Sequence, residues 1–149
     1  MSSRAHAGPY LMSTIRDVAP GGLRTCSVNA AIPVSDMAAA RGFYEGRLGL
    51  GPGAELPHGA RVYACGDQTA LVIYPCPASA GQAHAIVAGW NVDDVEQMVD
   101  RLSADGVVFE HSDEPDARTD AKGIHTSEGG LRSAFFRDTD GNSFAVIGR

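Results

Sequence analysis

Apolar and polar residues alternate along residues 26–34, and this pattern predicts a β-strand with one apolar face. In the next segment, 37–48, apolar residues recur every three to four positions, which predicts a helix with Ser35 and Asp36 available for its N-cap. Gly49 suits a left-handed C-cap that ends this helix. Short strand patterns follow near residues 52–56, 60–65 and 69–74. The first half of the chain therefore predicts a βαβββ unit.

The same order of patterns recurs in the second half. Residues 85–92 predict a strand, and Asp93 with Glu96 resembles a capping box at the start of a helix. The apolar residues of this helix keep the i, i+3, i+4, i+7 spacing, at Val95, Met98, Val99 and Leu102. Gly106 ends the helix. Three more strands are predicted at 107–110, 131–137 and 143–147, and Asp140-Gly141-Asn142 predicts a hairpin between the last two.

The two halves superimpose as a repeat. Residues 34–36 match 92–94, and residues 67–73 match 140–146 with a larger offset, which indicates an insertion around residues 111–130. Each unit leaves one face of its sheet without a helix, so two units bury those faces by turning them toward each other. We therefore expect an α+β protein in which two βαβββ modules pair into a curved mixed sheet around a cleft. The predicted organisation is an N-terminal tail at 1–24, a first module at 25–75, a linker at 76–83 and a second module at 84–149.

Composition narrows the classes of partner. The 149 residues carry a formal net charge of −6, and no cluster of Lys or Arg provides the phosphate contacts that nucleic acid or an anionic membrane requires. No apolar run reaches the length of a membrane-spanning helix. The three cysteines form no C-x-x-C pair, which favours free thiols in the cytoplasm. The first 24 residues lack the core of a signal peptide, and Met12 is an alternative to Met1 as the initiator.

Three segments resemble the vicinal oxygen chelate (VOC) superfamily, which includes glyoxalases, extradiol dioxygenases, fosfomycin-modifying enzymes and bleomycin-resistance proteins. They are Ile32-Pro-Val-Ser-Asp-Met-Ala-Ala-Ala-Arg-Gly-Phe-Tyr-Glu-Gly-Arg-Leu-Gly-Leu50, Val92-Asp-Asp-Val95 and Phe136-Arg-Asp-Thr-Asp-Gly-Asn142. The resemblance covers about residues 26–149. It implies the glyoxalase/bleomycin-resistance/dioxygenase fold and a homodimer. The resemblance does not decide the function, because one scaffold of this kind hosts both catalysts and binders.

The resemblance also implies where a metal would lie, because enzymes of this superfamily bind one divalent ion with His, Glu or Gln from the first and last strands of each module. The matching positions here are Asn29, Val87, Val72 and Ala145. Only Asn29 has a donor atom, a single neutral amide oxygen, so we expect neither a metal nor another cofactor. The five histidines show no H-x-H or H-E-x-x-H spacing that rebuilds such a site.

Strand alternation predicts which side chains line the cleft. The predicted ligand-binding residues on the strands are Asn29, Val72, Tyr74, Val87, Asn91 and Ala145, with Phe136 as the choice from the alternating pair at 135 and 136. Trp90 is expected in the core on the opposite face. The segment 111–130 is either a solvated loop or a lid that brings Arg118 and His125 to the mouth of the cleft. His125 and Tyr74 are the candidates for a catalytic group that transfers protons without a metal.

These observations favour a metal-independent protein that binds a small organic ligand, of the bleomycin-resistance or drug-binding type, rather than an enzyme. One alternative is a cofactor-free isomerase, cyclase or lyase that acts on a natural-product intermediate. A second alternative is a metal-dependent glyoxalase or dioxygenase with a rearranged site, which requires the alignment of the ligand positions to be shifted by a residue.

Overall fold

The computed structural model describes residues 22–149. The predicted N-terminal tail, apart from residues 22–24, and the choice between Met1 and Met12 lie outside the described residues. The first module contains β1 (Asn29–Val34), α1 (Met37–Arg41), β2 (Ala54–Glu55), β3 (Arg61–Ala64) and β4 (Ala70–Pro75). Helix α1 continues directly into a π-helical turn, Gly42–Arg47, so the predicted helix over 37–48 is present as two joined pieces. Asp36 caps α1 by accepting a hydrogen bond from the Ala39 amide at 3.1 Å.

The second module contains β5 (Ile86–Asn91), α2 (Val95–Ala104), β6 (Ile124–Thr126), β7 (Arg132–Arg137) and β8 (Ser143–Gly148). The residue that caps α2 is Asp94 and not Asp93, because the Asp94 side chain accepts from the Gln97 amide at 2.9 Å. Asp94 is the residue that the repeat aligns with Asp36, so the two modules share their capping geometry. Gly106, at φ 95°, takes the left-handed conformation expected after the helix.

The predicted strand at 107–110 is wrong. Val107 and Phe109 are buried, as their alternation indicates, but only an isolated bridge between Phe109 and Phe136 joins this segment to the sheet. The strand that pairs with β7 is β6, through Ile124 and Ala134, and it lies inside the segment that the sequence marks as an insertion. The apolar alternation at 107–110 therefore reflects burial in the core without ladder pairing.

Each module forms a four-stranded mixed sheet with the same strand order. The orders are β1-β4-β3-β2 and β5-β8-β7-β6, with the first and last strand of each module paired in parallel. The registers also correspond, since Pro33 pairs with Tyr74 in one sheet and Asn91 pairs with Ile147 in the other. The predicted repeat and the α+β class are confirmed.

One hydrophobic core joins the modules on the helix-bearing faces of both sheets. The π-helical turn after α1 supplies its centre, where Phe43 lies 6.3 Å from Phe136 of the second module and Tyr44 lies 6.0 Å from Phe144. Tyr44 also stacks on Tyr63 of its own sheet, at 6.3 Å between ring centroids. The aromatic rings of the first module therefore pack directly against the second sheet.

Polar contacts at the turn between β7 and β8 fix the modules relative to each other. Asn142 donates to the Pro33 carbonyl at 2.9 Å and accepts from the Gly81 amide at 3.1 Å. The Ser35 amide donates to the Asp140 carboxylate at 3.1 Å, and the Ser35 hydroxyl donates to the same carboxylate. Asn142 is 1% exposed, so its side chain makes its hydrogen bonds in a buried position, whereas Ser35 is exposed.

Candidate functional site

The predicted ligand-binding residues of the second module share the outer face of its sheet, opposite the core. The strand registers place Asn91, Ile147, Ser133 and His125 in one row across β5, β8, β7 and β6. Ala145 lies in the neighbouring row on the same face, but it is fully buried beneath its neighbours. The structure therefore brings Asn91 and His125 onto one surface, separated by the two strands between them.

The predicted residues of the first module lie on the corresponding face of the other sheet. Asn29 is exposed at the start of β1, and Val72 and Tyr74 are half-buried on β4. Ala31 and Val72 are paired across β1 and β4 and share this face. Each module's predicted ligand-binding residues on its strands therefore lie on the outer face of that module's own sheet, with Phe136 as the exception described below.

The position of Val87 is altered by a β-bulge. The register between β5 and β8 shifts between Ile86 and Ala88, which pair with the consecutive residues Ser143 and Phe144. Val87 therefore falls outside the regular alternation of the strand and is half-buried. His84 lies before the strand and is exposed.

Phe135, and not Phe136, lies on the outer face with Ala145. Phe135 and Ala145 pair directly across β7 and β8, and Phe135 is half-buried. Phe136 points into the core, fully buried, because its ring stacks with Trp90 at 6.2 Å and with Phe144 at 5.6 Å. The choice of Phe136 as an outer-face residue is therefore corrected to Phe135, although Phe136 lines a different cavity described below.

The segment 111–130 is folded against helix α2. Lys122 donates to Glu96 at 2.9 Å and to Asp100 at 3.0 Å, and both carboxylates belong to α2. Nδ1 of His125 lies 3.0 Å from the Arg118 carbonyl oxygen, so these two predicted residues contact each other through the backbone of Arg118. Their exposure differs, since Arg118 is exposed and His125 is half-buried on β6. In this arrangement the segment is anchored to the helix side of the second module.

A cavity of about 330 Å³, here called the junction cavity, opens between the two modules. Its lining comes from β1, β4 and the turn before β4 on one side and from β5 on the other. The lining residues are Val28, Ala30, Cys65, Gly66, Asp67, Thr69, Ala70, Leu71, Ala88, Gly89, Trp90 and Asn91. Small and apolar side chains predominate, with Thr69 and Asn91 as neutral hydrogen-bonding groups and Asp67 as the charged group, which is the composition typical of a small-molecule site.

A second cavity, here called the helix-side cavity, has a volume of about 260 Å³ and lies between the second sheet and helix α2. It is lined by Leu48, Leu50, Trp90, Asn91, Val92, Met98, Leu102, Phe136 and Val146. The two cavities share Trp90 and Asn91. Trp90 packs on the core as expected, but it is only half-buried, and it lines both cavities.

Sequence patterns alone missed most of the helix-side cavity. Leu48 and Leu50 come at and after the end of the first helical pattern, and Met98 belongs to the apolar stripe of α2. Leu48 and Met98 belong to the apolar stripes predicted to be buried, yet all three residues are half-buried. The available signal was Leu50, an apolar residue beyond the C-cap glycine that no predicted element accounts for.

A carboxylate network stabilises the first module beside these cavities. Glu45 accepts hydrogen bonds from Arg61 at 2.9 Å and from the Tyr63 hydroxyl at 3.1 Å, and it also pairs with Arg41 at 3.2 Å. The hydrogen bond from Arg41, together with those from Tyr63 and Arg61, lowers the pKa of Glu45. Burial and the adjoining Glu45 carboxylate raise the pKa of Tyr63 to about 12. The network links the π-helical turn to β3 and is structural rather than a ligand site.

Within residues 22–149, no three side chains from His, Cys, Asp or Glu converge in the geometry of a metal site. Of the four family ligand positions, only Asn29 offers an oxygen atom, and it is at an exposed strand end. No helix formed by these residues has both the length and the apolar character needed to cross a lipid bilayer.

The repeated modules, their paired mixed sheets and the cavity at their junction define a two-module α+β protein of the paired βαβββ class. Residues 27–146 match the model of the Glyoxalase/Bleomycin resistance protein/Dioxygenase superfamily, and the chain belongs to that superfamily. A comparison with curated proteins gave no match.

Solved structures with the same fold include a glyoxalase/bleomycin resistance protein from Catenulispora acidiphila DSM 44928. It is 24% identical, with a TM-score of 0.64 over 83% of this chain and 97% of that one. A bleomycin-binding protein complexed with bleomycin is also 24% identical, with a TM-score of 0.63 over 84% of this chain and 99% of the other. A lactoylglutathione lyase from Agrobacterium tumefaciens is 22% identical, with a TM-score of 0.61 over 83% and 93% of the two chains. At these identities the similarity establishes the fold.

Proposed function

We propose that this protein binds a small organic molecule without a metal, in the manner of the drug-binding members of its superfamily, and that the ligand occupies the junction between its modules. The observation that carries the proposal is the position of Asn91. Asn91 is exposed and lines both the junction cavity and the helix-side cavity, as does the half-buried Trp90. In the junction cavity, Asn91, Thr69 and Asp67 add a few polar groups to a largely apolar lining, which is suited to binding a small molecule in a defined orientation.

The donor groups support a binder over a metal enzyme. A divalent transition metal needs several imidazole, carboxylate or thiolate ligands, and the four family positions supply one neutral amide oxygen. Tyr74 and His125, the candidate proton-transfer groups, lie on β4 and β6 and are not among the residues that line either cavity. Ligand binding at the junction therefore accounts for the site better than catalysis does.

Bleomycin is the first ligand to test, because a structural neighbour of this chain is a bleomycin-binding protein complexed with bleomycin. The chain contains one tryptophan, and that residue lines both cavities. The emission of Trp90 is thus a direct reporter of occupancy. We expect a saturable change in this emission when chelator-treated protein is titrated with metal-free bleomycin or with members of a neutral small-molecule library.

A matched pair of variants makes this titration specific. Asn91→Ala removes the shared amide, and we expect it to weaken the binding of a responding ligand about tenfold, in keeping with the loss of one hydrogen bond. Gln82→Ala removes an exposed amide from the segment between the modules and should leave the affinity unchanged. Equal affinities in both variants, or no response of Trp90 to any compound, contradict a ligand site at the junction.

The metal-independent part of the proposal has its own test. Calorimetric titration of metal-stripped protein with Ni²⁺, Co²⁺, Mn²⁺ and Zn²⁺ is expected to give no tight one-to-one binding. Tight binding that Asn29→Ala or His125→Ala removes overturns this part and directs attention to glyoxalase or dioxygenase chemistry. The structural similarity to a lactoylglutathione lyase makes that outcome the informative alternative.

We also infer that the protein forms a homodimer in the cytoplasm, with the outer sheet faces turned toward a second copy. The half-buried or exposed apolar residues Ala31, Val72 and Phe135 on those faces support the inference, and so do three free cysteines. Asn29, Tyr74, Val87 and His125 would then line a cleft between subunits. Sedimentation of Ala31→Arg tests this, because the charge is expected to dissociate the dimer, whereas Ala38→Arg on exposed α1 should not. A wild-type monomer contradicts the inference.

A further inference from the structure

The helix-side cavity is large enough for a ring system. Its volume is about 260 Å³, whereas an apolar cavity of about 150 Å³ accommodates benzene. Trp90 and Met98 in its wall are half-buried, while Leu102, Phe136 and Val146 behind them are buried. The cavity is therefore an apolar pocket that opens to the surface, and a group of one or two rings matches its size.

The interior of this cavity favours aromatic groups. The ring of Phe136 lies 6.2 Å from that of Trp90 at 19° and 5.6 Å from that of Phe144 at 20°, while the rings of Trp90 and Phe144 lie 5.5 Å apart and are tilted by 38°. A planar aromatic ligand can pack against such a cluster of rings. Met98, from α2, adds a flexible and polarizable side chain that adapts to the edge of a ring.

The lining also selects against charge. Among the described residues that line the cavity, none carries a charge. A charged group that entered this cavity would lose its hydration without gaining an ion pair. The strand register places the Asn91 side chain on the opposite face of β5, beside Ile147, so the lining that faces a ligand is apolar apart from the indole of Trp90.

We propose that the helix-side cavity binds an uncharged aromatic group of one or two rings. The proposal rests on the proposed function, because it names the class of ligand that the same site accepts. It assigns the ring to the side of Trp90 that faces α2, and any remaining part of the ligand to the junction cavity.

Methionine methyl groups give the direct test. The chain has four methionines, of which Met98 lines the cavity and Met37 lies on α1 outside it. We would label the full chain with ¹³C at the methionine methyl groups and assign Met98 with a Met98→Leu variant. Three probes of one shape but different charge would be titrated at pH 7: 2-naphthol, 2-naphthoate and 2-naphthylmethylammonium.

We expect 2-naphthol to shift the Met98 signal saturably and to leave the Met37 signal in place. The two charged naphthalenes should bind at least tenfold more weakly. Leu48→Phe extends a larger side chain into the cavity and should weaken 2-naphthol binding at least tenfold. Leu56→Phe adds the same bulk outside the cavity and serves as the matched control, with unchanged affinity.

The possible failures are distinguishable. Equal binding of charged and neutral probes overturns the proposal, and so does 2-naphthol binding without a Met98 shift, while both results leave a small-molecule site at the junction. A Trp90 response to other ligands with no naphthol binding also overturns only the assignment of the ligand class. If neither the Trp90 emission nor the Met98 methyl signal responds to any compound, the proposed function is overturned as well. If Leu48→Phe fails to fold, the comparison of the three probes in the wild type decides the matter.

Discussion

The hydroxyl of Tyr44 donates a hydrogen bond to Oδ2 of Asp138 over 2.7 Å, and this contact joins the helical segment of the first module to the second module. Tyr44 is fully buried and Asp138 is 7% exposed. Asp138 also accepts from the Asn142 amide at 2.9 Å and the Asn142 side chain at 2.8 Å. Burial, together with the Asp138 carboxylate, raises the pKa of Tyr44 well above its usual value. The hydrogen bond from Tyr44 thus links the two modules through the buried Asp138 carboxylate. The hydrogen bonds that this carboxylate accepts compensate for its loss of contact with water.

Removal of this donor should destabilise the protein. We expect Tyr44→Phe to lower the free energy of unfolding by about 1.5–3 kcal/mol, since a buried hydrogen bond to a charged group is lost while the ring remains. Urea unfolding monitored by circular dichroism measures the change. Tyr74→Phe is the control, because the Tyr74 hydroxyl makes no hydrogen bond with residues 22–149. Equal stability losses in the two variants would show that the Tyr44 bond contributes nothing particular.

Stability should fall at alkaline pH. The pKa of Tyr63 is raised to about 12 by burial and by Glu45, while an unfolded tyrosine ionises near pH 10. Because the unfolded chain releases this proton first, the contribution of Tyr63 is complete below about pH 10 and is lost as the pH rises toward 12. Tyr63→Phe should flatten the decline in urea midpoint between pH 9 and 11.5. Parallel wild-type and variant curves would argue against this assignment.

Gly81 marks a close approach between the linker and the turn at Asp140. Its φ is 70°, and an added Cβ would overlap the Asp140 carbonyl oxygen. We expect Gly81→Ala to cost about 2–4 kcal/mol through the left-handed backbone and the clash. Gly46, on the π-helical turn, has open space at its Cβ position. Gly46→Ala should therefore leave stability unchanged or raise it by up to about 1 kcal/mol. Thermal unfolding of both variants distinguishes them, and a tolerated Gly81→Ala would refute the contact.

The segment 111–130 should depend on Lys122 for its attachment. The ammonium group lies 2.9 Å from carboxylate oxygens of both Glu96 and Asp100, and hydrogen bonds to Asp100 and Glu96 raise the pKa of Lys122. We expect Lys122→Met to increase amide hydrogen exchange several-fold at residues 122–126, with little change in α2. Arg118→Met, in the same segment, should leave the exchange pattern as in the wild type. Unchanged protection in Lys122→Met would mean that the backbone pairing of β6 alone holds the segment.

Most residues with strictly local roles were predictable from sequence, although the N-cap of α2 is Asp94 and not the predicted Asp93. Asp36, Gly49, Gly106 and the turn at 140–142 were assigned correctly, because caps and turns are set by backbone conformation within a few residues. The repeat was detectable for the same reason, since each module encodes its strands and helix by short-range periodicity. The error at 107–110 shows the limit, because burial and strand pairing produce the same alternation.

Tertiary structure decided the candidate site. The sequence places Asn91 on a strand face, but only the packing of β5 beside the first module makes it the residue that two cavities share. Trp90 and Leu48 follow ordinary core patterns, yet both are half-buried where they line the helix-side cavity. The bulge at Val87 and the inward position of Phe136 are likewise set by pairing with β8 and by the aromatic stack. The local sequence therefore determined the modules. The cavities exist because two surfaces formed by residues distant in sequence pack against each other with incomplete complementarity.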